Sequence, residues 1–364
     1  MANKTLGKAK SAKNDEFYTQ YADIQKEVNA YLEYDENAFR DKTVLLPCDD
    51  PEWSNFTKFF AQNFESLGLK KLISTSYAIE SKNYKLQWQP TLFEQENPNY
   101  DISKSKTNGK IFTLERDTNG NGVIDIDDLE WDYLEGDGDF RSDEVRRLRD
   151  EADIIVTNPP FSLFREFLPW IMEAGKKFLI IGNINAITYS CTFPLIKDNK
   201  VWIGATNFNV GMFFRVPDNF AYAATYKSAR EIDGEKVNRV PSCCWYTNME
   251  HGRRHQPLRL MTMEDNRKFS KHEEVKGIGY FKYENYDALE VPYFDAIPSD
   301  YDEVIGVPIT FLDKYCPEQF EIVGASESEG VGFSNGLWKE NSTVAQPLLN
   351  GVRKYKRLFI RKKR

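Results

Sequence analysis

Residues 152–166 read Ala-Asp-Ile-Ile-Val-Thr-Asn-Pro-Pro-Phe-Ser-Leu-Phe-Arg-Glu and combine the marks of a strand, a turn and a helix. The apolar, β-branched run over residues 153–157 predicts a buried strand. The Asn-Pro-Pro-Phe segment, residues 158–161, predicts a rigid turn, and Ser162 is expected to cap the helix that follows. A further apolar run over residues 178–181 predicts the next strand. This order of strand, helix and strand indicates a parallel sheet with helices on its faces.

A second unit of the same kind lies upstream. Residues 43–46 predict a strand, and Asp50 is expected to cap a helix that ends at Gly68. Residues 71–75 predict the strand after it. In parallel sheets, ligands bind beyond the carboxyl ends of the strands, so the turn at Asp50 and the turn at residues 158–161 are expected to share a site.

The Asn-Pro-Pro-Phe turn suits the methylation of an exocyclic amino group on a base. Such a nitrogen is a poor nucleophile because its lone pair is delocalised into the ring. Asn158 offers a side-chain carbonyl as acceptor, and Pro159 and Pro160 stiffen the turn without adding an N–H donor. Phe161 offers a flat face on which a flipped-out base can stack. The alternative interpretation is a Pro-Pro turn that merely ends a strand.

The longer string, residues 152–166, resembles the catalytic motif of amino-methylating DNA methyltransferases, and within them the EcoRI-type adenine-specific methyltransferases. Further matching stretches follow in one order along most of the chain: Asp15-Glu-Phe-Tyr-Thr-Gln-Tyr21, Cys48-Asp-Asp-Pro51, Gly136-Asp-Gly-Asp-Phe-Arg-Ser-Asp-Glu144, Lys177-Phe-Leu-Ile-Ile-Gly-Asn-Ile-Asn-Ala-Ile-Thr-Tyr189 and Gly306-Val-Pro-Ile-Thr-Phe-Leu312. The resemblance implies a site-specific enzyme that methylates the amino group of adenine in DNA by base flipping and direct displacement.

The resemblance also implies a fold and a division of the chain. The fold is an α/β, Rossmann-like, S-adenosylmethionine-dependent methyltransferase sheet with helices on both faces, and a smaller mixed C-terminal region for target recognition. The methyltransferase domain is expected over residues 14–210, with an acidic insert at residues 78–135. The recognition region is expected over residues 211–351, where short aromatic segments rich in Gly, Pro and Asn replace the regular pattern.

In this resemblance the cofactor is S-adenosylmethionine, and its site falls in three of the matching stretches. Tyr18 and Thr19 would lie near the cofactor's carboxylate end, and Asp49 near its amino group. The carboxylate of Asp139 would accept from the adenine amino group while Phe140 stacks on the ring. The neighbouring Asp137 is the alternative to Asp139. For the three aspartates a role as turn or cap carboxylates stays open.

A twelve-residue stretch in the acidic insert has the spacing of a calcium loop. It resembles the loops of EF-hand and dockerin modules, with oxygen ligands at the expected positions and glycine at the sixth. The candidate ligands are Asp117, Asn119, Asn121, Val123 through its carbonyl, Asp125 and Asp128. The last position is Asp rather than Glu, which shortens its reach. The alternatives are a structural calcium ion and a simple Gly-Asn turn.

The net charge of −8 is unevenly distributed and conceals two basic ends. Residues 1–13 and residues 352–364 carry only Lys and Arg among their charged residues, +12 together, which leaves −20 for the rest. An acidic total argues against nucleic acid as a partner, but two basic arms can contact DNA phosphates. The alternative is a solvated tail at each end.

We therefore expect double-stranded DNA as partner, a cognate restriction endonuclease as a candidate second partner, and a monomer. The sequence contains no apolar run long enough to cross a membrane, no signal peptide and no C-x-x-C pair among five cysteines, which predicts a soluble cytoplasmic protein.

Two other functions stay open at the level of sequence. Asn-Pro-Pro followed by an aromatic residue also serves enzymes that methylate RNA or a glutamine side chain of a protein. A non-catalytic, calcium-stabilised DNA-binding protein on a methyltransferase scaffold is the alternative from another class. It is favoured by Cys48-Asp-Asp-Pro51, which stands where methyltransferases usually have a glycine-rich turn.

Overall fold

The computed structural model describes residues 18–48, 54–78, 98–216, 220–326, 333–339 and 344–363. The predicted N-terminal arm, residues 1–13, and Asp49 lie outside these residues. The strands are β1 (Tyr18–Thr19), β2 (Thr43–Leu46), β3 (Lys71–Thr75), β4 (Lys110–Leu114), β5 (Glu130–Tyr133), β6 (Ile154–Thr157), β7 (Lys177–Asn183), β8 (Trp202–Ile203), β9 (Met212–Arg215), β10 (Glu231–Ile232), β11 (Glu235–Val240), β12 (Cys243–Thr247), β13 (Leu289–Glu290), β14 (Ile305–Pro308), β15 (Phe320–Ala325), β16 (Leu348–Leu349), β17 (Val352–Arg353) and β18 (Arg357–Lys362). The α-helices are α1 (Tyr21–Leu32), α2 (Asn55–Gln62), α3 (Phe64–Leu67), α4 (Asp143–Glu151), α5 (Phe164–Glu173), α6 (Phe193–Lys197) and α7 (Met263–Phe269).

The chain divides into two compact units, and each unit is built from two separate stretches of the chain. One unit consists of Met1–Asn183 and Asn209–Met249, and the other of Ile184–Phe208 and Glu250–Arg364. The sequence-based division at residue 210 concerns function rather than compactness. The functional division into catalytic and recognition regions stays a prediction. None of the described helices is long and apolar enough to cross a membrane.

A large mixed sheet forms the centre of the first unit. Its strands there run in the order β5-β4-β3-β2-β6-β7-β12. The four middle strands, β3, β2, β6 and β7, are parallel to one another, which confirms the expected parallel core. The outer strands β4, β5 and β12 are antiparallel to their neighbours, so the sheet is mixed rather than parallel throughout. The acidic insert supplies both β4 and β5.

Burial explains why the middle strands form where the apolar runs predicted them. Every residue of β2 and β6 is buried, as expected for strands covered on both faces. A large apolar cluster covers one side and includes Phe56, Phe60 and Trp245. Gly68 ends α3 with a φ of 64°, as predicted.

Both predicted helix caps differ from the observed ones. Helix α2 begins at Asn55, and Ser54 caps it by accepting the Phe56 N–H at 3.1 Å, whereas Asp50 lies outside the described residues. Ser162 is also not a cap. It lies inside a single 3₁₀ turn, Phe161–Leu163, and α5 starts only at Phe164 without a side-chain cap. The prolines set the tighter turn before the helix can begin.

The second unit contains a four-stranded sheet in the order β13-β14-β18-β15 and the separate hairpin β16–β17. Strand β18 lies in the middle of that sheet, and Leu358, Phe359 and Ile360 are fully buried. Arg357 is buried too, and its guanidinium pairs with both oxygens of Glu290 at 2.8 and 3.0 Å. The alternative of a solvated tail over residues 352–364 therefore does not hold for residues 357–360, which are buried in this sheet, whereas Arg353, Arg361 and Lys363 are exposed. Contact of this basic end with DNA phosphates stays a prediction.

Candidate active site

The Asn158-Pro-Pro-Phe turn follows the carboxyl end of β6, next to the carboxyl end of β2. The two strands are parallel neighbours, and Val44 lies opposite Ile154. Continuing this register brings Cys48, after β2, level with Asn158. The amide oxygen Oδ1 of Asn158 is buried, and Pro159 is buried beside it. The structure thus brings the two predicted turns to one edge of the sheet, although Asp49 itself lies outside the described residues.

The packing behind this turn leaves it little freedom. Leu163 N–H donates to the Pro160 carbonyl at 2.9 Å and closes the 3₁₀ turn. Phe161 is half-buried against the large apolar cluster of the first unit. Phe164, the first residue of α5, is buried against the Tyr246 ring at a centroid distance of 5.1 Å. A buried strand before the turn and an anchored helix after it hold residues 158–161 in one arrangement.

The segment before α1 provides polar groups that the protein itself leaves unused. Tyr18 and Thr19 form β1, which pairs with β9. The side chain of Asn55 donates to the Thr19 carbonyl at 2.8 Å, so the segment is tied to the first turn of α2. Among the described residues, Thr19 Oγ1 and Gln20 Nε2 are buried without a hydrogen-bond partner. Buried polar atoms of this kind call for an explanation, and a bound ligand is one.

The loop that contains Asp137 and Asp139 lies against the end of β3. Ala78 N–H donates to the Asp137 carbonyl at 2.7 Å, and Asp139 N–H donates to the Asp137 carboxylate at 3.1 Å. Gly138 has a φ of 82°, and a Cβ there would overlap the Ser76 carbonyl oxygen. The loop therefore needs glycine at this position.

Asp139 is held by Arg141 rather than exposed as an isolated carboxylate. The guanidinium donates to both carboxylate oxygens, at 2.9 and 2.7 Å, and the Arg141 N–H donates to one of them at 2.8 Å. The Arg141 side chain lowers the pKa of Asp139 below its ordinary value, although burial opposes the shift. Asp139 is therefore an ionised acceptor at neutral pH.

Phe140 packs into the protein more deeply than a stacking platform would require. Its ring is 5% exposed and makes edge contacts with Phe167 and Trp170 of α5, at centroid distances of 5.0 and 5.5 Å. This packing fixes the loop to α5, the helix that follows the Asn158-Pro-Pro-Phe turn. Stacking of Phe140 on the cofactor's adenine stays a prediction.

The calcium-like loop is closed by hydrogen bonds between its own residues. Asp117 accepts from the N–H groups of Gly120 and Gly122 at 2.6 and 2.8 Å. Asn119 accepts from Asn121, Asn121 from Val123, and Asp125 from Asp127, all through backbone N–H groups. No three His, Cys, Asp or Glu side chains in the described part of the chain are placed to hold a metal ion. The structure gives the calcium prediction no support and favours the turn.

Asp128 closes this loop from inside. Its carboxylate is 1% exposed and accepts from Thr118, Asn119 and Asp125 over distances of 2.8 to 3.2 Å. Burial opposes ionisation, but these hydrogen bonds outweigh it and lower the pKa of Asp128. The residue acts as an internal cap for the turn.

Sequence reasoning missed three contributors to this edge of the sheet: Asn55, Gly138 and Arg141. The Asn55 side chain and the Gly138 Cα each lie against the backbone of a segment that is distant in the sequence. No local sequence pattern reveals such contacts. Arg141 carries a local signal, because an Arg two residues after an Asp can fold back on it. Its second partner, Glu166 of α5, is 25 residues away in the sequence, so this pairing cannot be predicted without the fold.

Comparisons with known proteins show the family to which the chain belongs. The family model described as adenine-specific methyltransferase EcoRI matches residues 5–363. The chain is 40% identical over 362 residues to the Type II methyltransferase M.EcoRI of Escherichia coli, covering 100% of this chain and 97% of that protein. It is 36% identical over 319 residues to M.MpnI of Mycoplasma pneumoniae, covering 87% and 84% of the two chains. M.MgeORF184P of Mycoplasma genitalium is 33% identical over 362 residues, covering 98% of each chain. No solved structure gives a significant match.

A mixed α/β sheet that carries Asn-Pro-Pro-Phe at its edge, together with these relatives, defines a site-specific DNA methyltransferase. The chain belongs to the family of EcoRI-type adenine-specific methyltransferases. Membership of this family implies S-adenosylmethionine as the methyl donor.

Proposed function

We propose that the enzyme methylates the exocyclic amino group of an adenine flipped out of duplex DNA, at the Asn158-Pro-Pro-Phe turn. The observation that carries the proposal is the place of Asn158, whose amide oxygen is buried at the carboxyl end of a central parallel strand. Its turn contains two prolines, which have no N–H group that could compete with the adenine amino group for the acceptor oxygens. The sheet is proposed to be the Rossmann-like sheet of methyltransferases.

Asn158 and Pro159 act on the target nitrogen as acceptors. The Asn158 Oδ1 and the Pro159 carbonyl oxygen each take one amino hydrogen, which turns the nitrogen lone pair out of conjugation with the ring. Phe161 stacks on the base and fixes its distance to the methyl group. S-adenosylmethionine, when bound, would supply a methyl group on its sulfonium, which would leave as a neutral thioether when the amino nitrogen takes the methyl group. The extra proton would then leave to water, so no residue of this turn has to act as a general base.

The cofactor is proposed to bind beside this turn through Tyr18, Thr19, Asp49, Asp137, Asp139 and Phe140. The unused Thr19 hydroxyl supports its assignment to the cofactor's carboxylate end, because that group can donate. Asp139 is an ionised acceptor and suits the adenine amino group. Calcium forms no part of this proposal, because the carboxylates of the loop already accept from its own N–H groups.

DNA is proposed to contact the basic N-terminal arm, residues 1–13, the recognition region, residues 211–351, and the exposed charges Arg353 and Lys363 of the basic C-terminal end. One enzyme modifies one strand at a time, which is consistent with a monomer. A cognate restriction endonuclease is the proposed biological counterpart, since the relatives are named Type II methyltransferases.

Asn158→Ala tests the proposed site. It removes one of the two acceptors, so methyl transfer to duplex DNA is expected to fall by at least roughly 10²-fold. Cofactor and DNA affinity should stay near the parent values. The matched control is Asn29→Ala, an exposed asparagine of α1, which should transfer methyl groups normally. Transfer of tritiated methyl to duplex DNA, RNA and protein is measured in parallel. Parent-like transfer by Asn158→Ala, or a preference for RNA or protein glutamine, contradicts the proposal.

A further inference from the structure

Arg141 joins two parts of the active site that the sequence separates. Its guanidinium forks onto Asp139, at 2.9 and 2.7 Å, and its remaining nitrogen donates to Glu166 at 2.9 Å. Asp139 belongs to the loop after β5, whereas Glu166 lies in the first turn of α5, directly after the catalytic turn. The guanidinium carbon is also 5.4 Å from the centre of the Phe140 ring. One side chain thus contacts the Asp139 carboxylate, the Phe140 ring and the first turn of α5.

The geometry of this contact suits orientation more than simple charge neutralisation. A guanidinium is planar, and its parallel N–H groups fix the plane of a carboxylate that they pair with. Each carboxylate oxygen has two acceptor positions, so Asp139 can still accept a further donor. The other end of Arg141 is fixed at Glu166, and both carboxylates keep the guanidinium charged, since they raise its pKa.

Within the described part of the chain, the Asp139 loop is otherwise held through its backbone and the Phe140 ring. Glu144 accepts from the N–H groups of Glu135 and Gly136 at 2.9 and 3.1 Å, which fixes the start of the loop. Ser142 N–H donates to the Asp139 carbonyl at 2.9 Å, which fixes its end. Among the described residues, Arg141 is the side chain shown to fix the Asp139 carboxylate itself.

We propose that Arg141 is a positioning residue of the cofactor site, which aims the Asp139 carboxylate at the cofactor's adenine and ties it through Glu166 to the helix after the catalytic turn. This inference rests on the proposed function, in which Asp139 accepts from the adenine amino group. Arg141 itself does not touch the cofactor. Substitution of Arg141 should therefore weaken the affinity for the cofactor, and it should do so only when Asp139 is present.

The test is the affinity of the full-length protein for S-adenosylmethionine, measured by calorimetry without DNA. Arg141→Gln is expected to raise the Kd roughly tenfold, the effect of one charge-assisted hydrogen bond, while kcat at saturating cofactor changes less than about twofold. Arg141→Lys keeps the charge without the fork and should give an intermediate Kd. Arg146→Gln is the matched control, because Arg146 is an exposed arginine of the same unit in an exposed ion pair.

A double-variant cycle separates positioning from a merely structural role. If Arg141 acts through Asp139, then Arg141→Gln should add little to the Kd of Asp139→Ala. Additive effects overturn the inference, and so does a parent-like Kd for Arg141→Gln when Asp139→Ala weakens binding. If Asp139→Ala itself binds the cofactor like the parent, the proposed cofactor site is wrong, and the inference falls with it.

Discussion

One glycine determines how closely helix α5 can approach the sheet behind the Asn158-Pro-Pro-Phe turn. A Cβ at Gly182 of β7 would come within 2.5 Å of the Phe164 ring and 2.9 Å of the Tyr246 ring. Because Phe164 is the first residue of α5, this contact sets where the helix begins. The position of the Asn-Pro-Pro-Phe turn therefore depends on a residue without a side chain on the neighbouring strand.

Gly182→Ala is expected to lower the free energy of unfolding by about 1–3 kcal/mol, because two buried rings must move to admit a methyl group. It should also reduce kcat, since Phe164 follows the catalytic turn. Urea denaturation and methyl transfer measure the two effects. Gly136→Ala is the control, because a Cβ there meets only the Glu144 carboxylate at 3.7 Å. Unchanged stability and kcat in Gly182→Ala would contradict this packing argument.

At this scale, the sequence contains the part of the candidate site whose chemistry is local. The side-chain acceptor of Asn158 and the lack of an N–H group in Pro159 and Pro160 follow from residue types alone, and their role in methyl transfer stays a prediction. The unused hydroxyl of Thr19 and the pairing of Arg141 with Glu166 could not be predicted, because both depend on how distant segments pack.

At the scale of elements, the structure supports one of the two alternatives that the sequence of the acidic insert left open, the turn rather than the calcium site. The insert's spacing predicted a metal site, but the oxygens accept backbone N–H groups, and Asp125 and Asp128 form a reciprocal cap on the turn Ile126–Asp128. Asx turns and calcium loops share the same residue types, since both need oxygen acceptors close to a tight turn. The strands on either side of this turn, β4 and β5, pair with each other antiparallel, so the turn connects two strands of the sheet.

Asp128→Ala is expected to lower the melting temperature at neutral pH, because four hydrogen-bond donors of the loop lose their acceptor. The pKa of Asp128 is lowered in the folded protein, so its stabilisation is complete above the unfolded pKa and is lost as the pH falls through the folded pKa. The difference between parent and variant should therefore shrink in acid. Melting curves with calcium and with a chelator should coincide. A calcium-dependent rise for the parent alone would show a metal site.

At the scale of the whole molecule, part of the basic C-terminal end is a strand of the sheet in the second unit. Strand β18 lies between β14 and β15, and its buried Arg357 neutralises the buried Glu290. Arg361 and Lys362 are paired with Glu321 and Asp302. A count of charges could not reveal this structural role. The same lysines and arginines indicate a basic arm in the sequence, and only the burial of Leu358, Phe359 and Ile360 shows that they belong to a strand. Truncation at residue 352 would therefore disrupt the second unit rather than test DNA binding.

The exposed charges of this end provide the sharper test. Arg353 and Lys363 are exposed, so they can contact phosphates without a role in the sheet's core. The double substitution Arg353→Gln/Lys363→Gln should weaken DNA binding and flatten the dependence of log K on log salt by about 0.9 for each phosphate that is no longer neutralised. Arg361→Gln is the control, since that charge is already paired, and it should change the slope less. Binding measured over a series of salt concentrations decides between them. A slope equal to that of the parent in the double variant would leave DNA binding to the N-terminal arm and the recognition region.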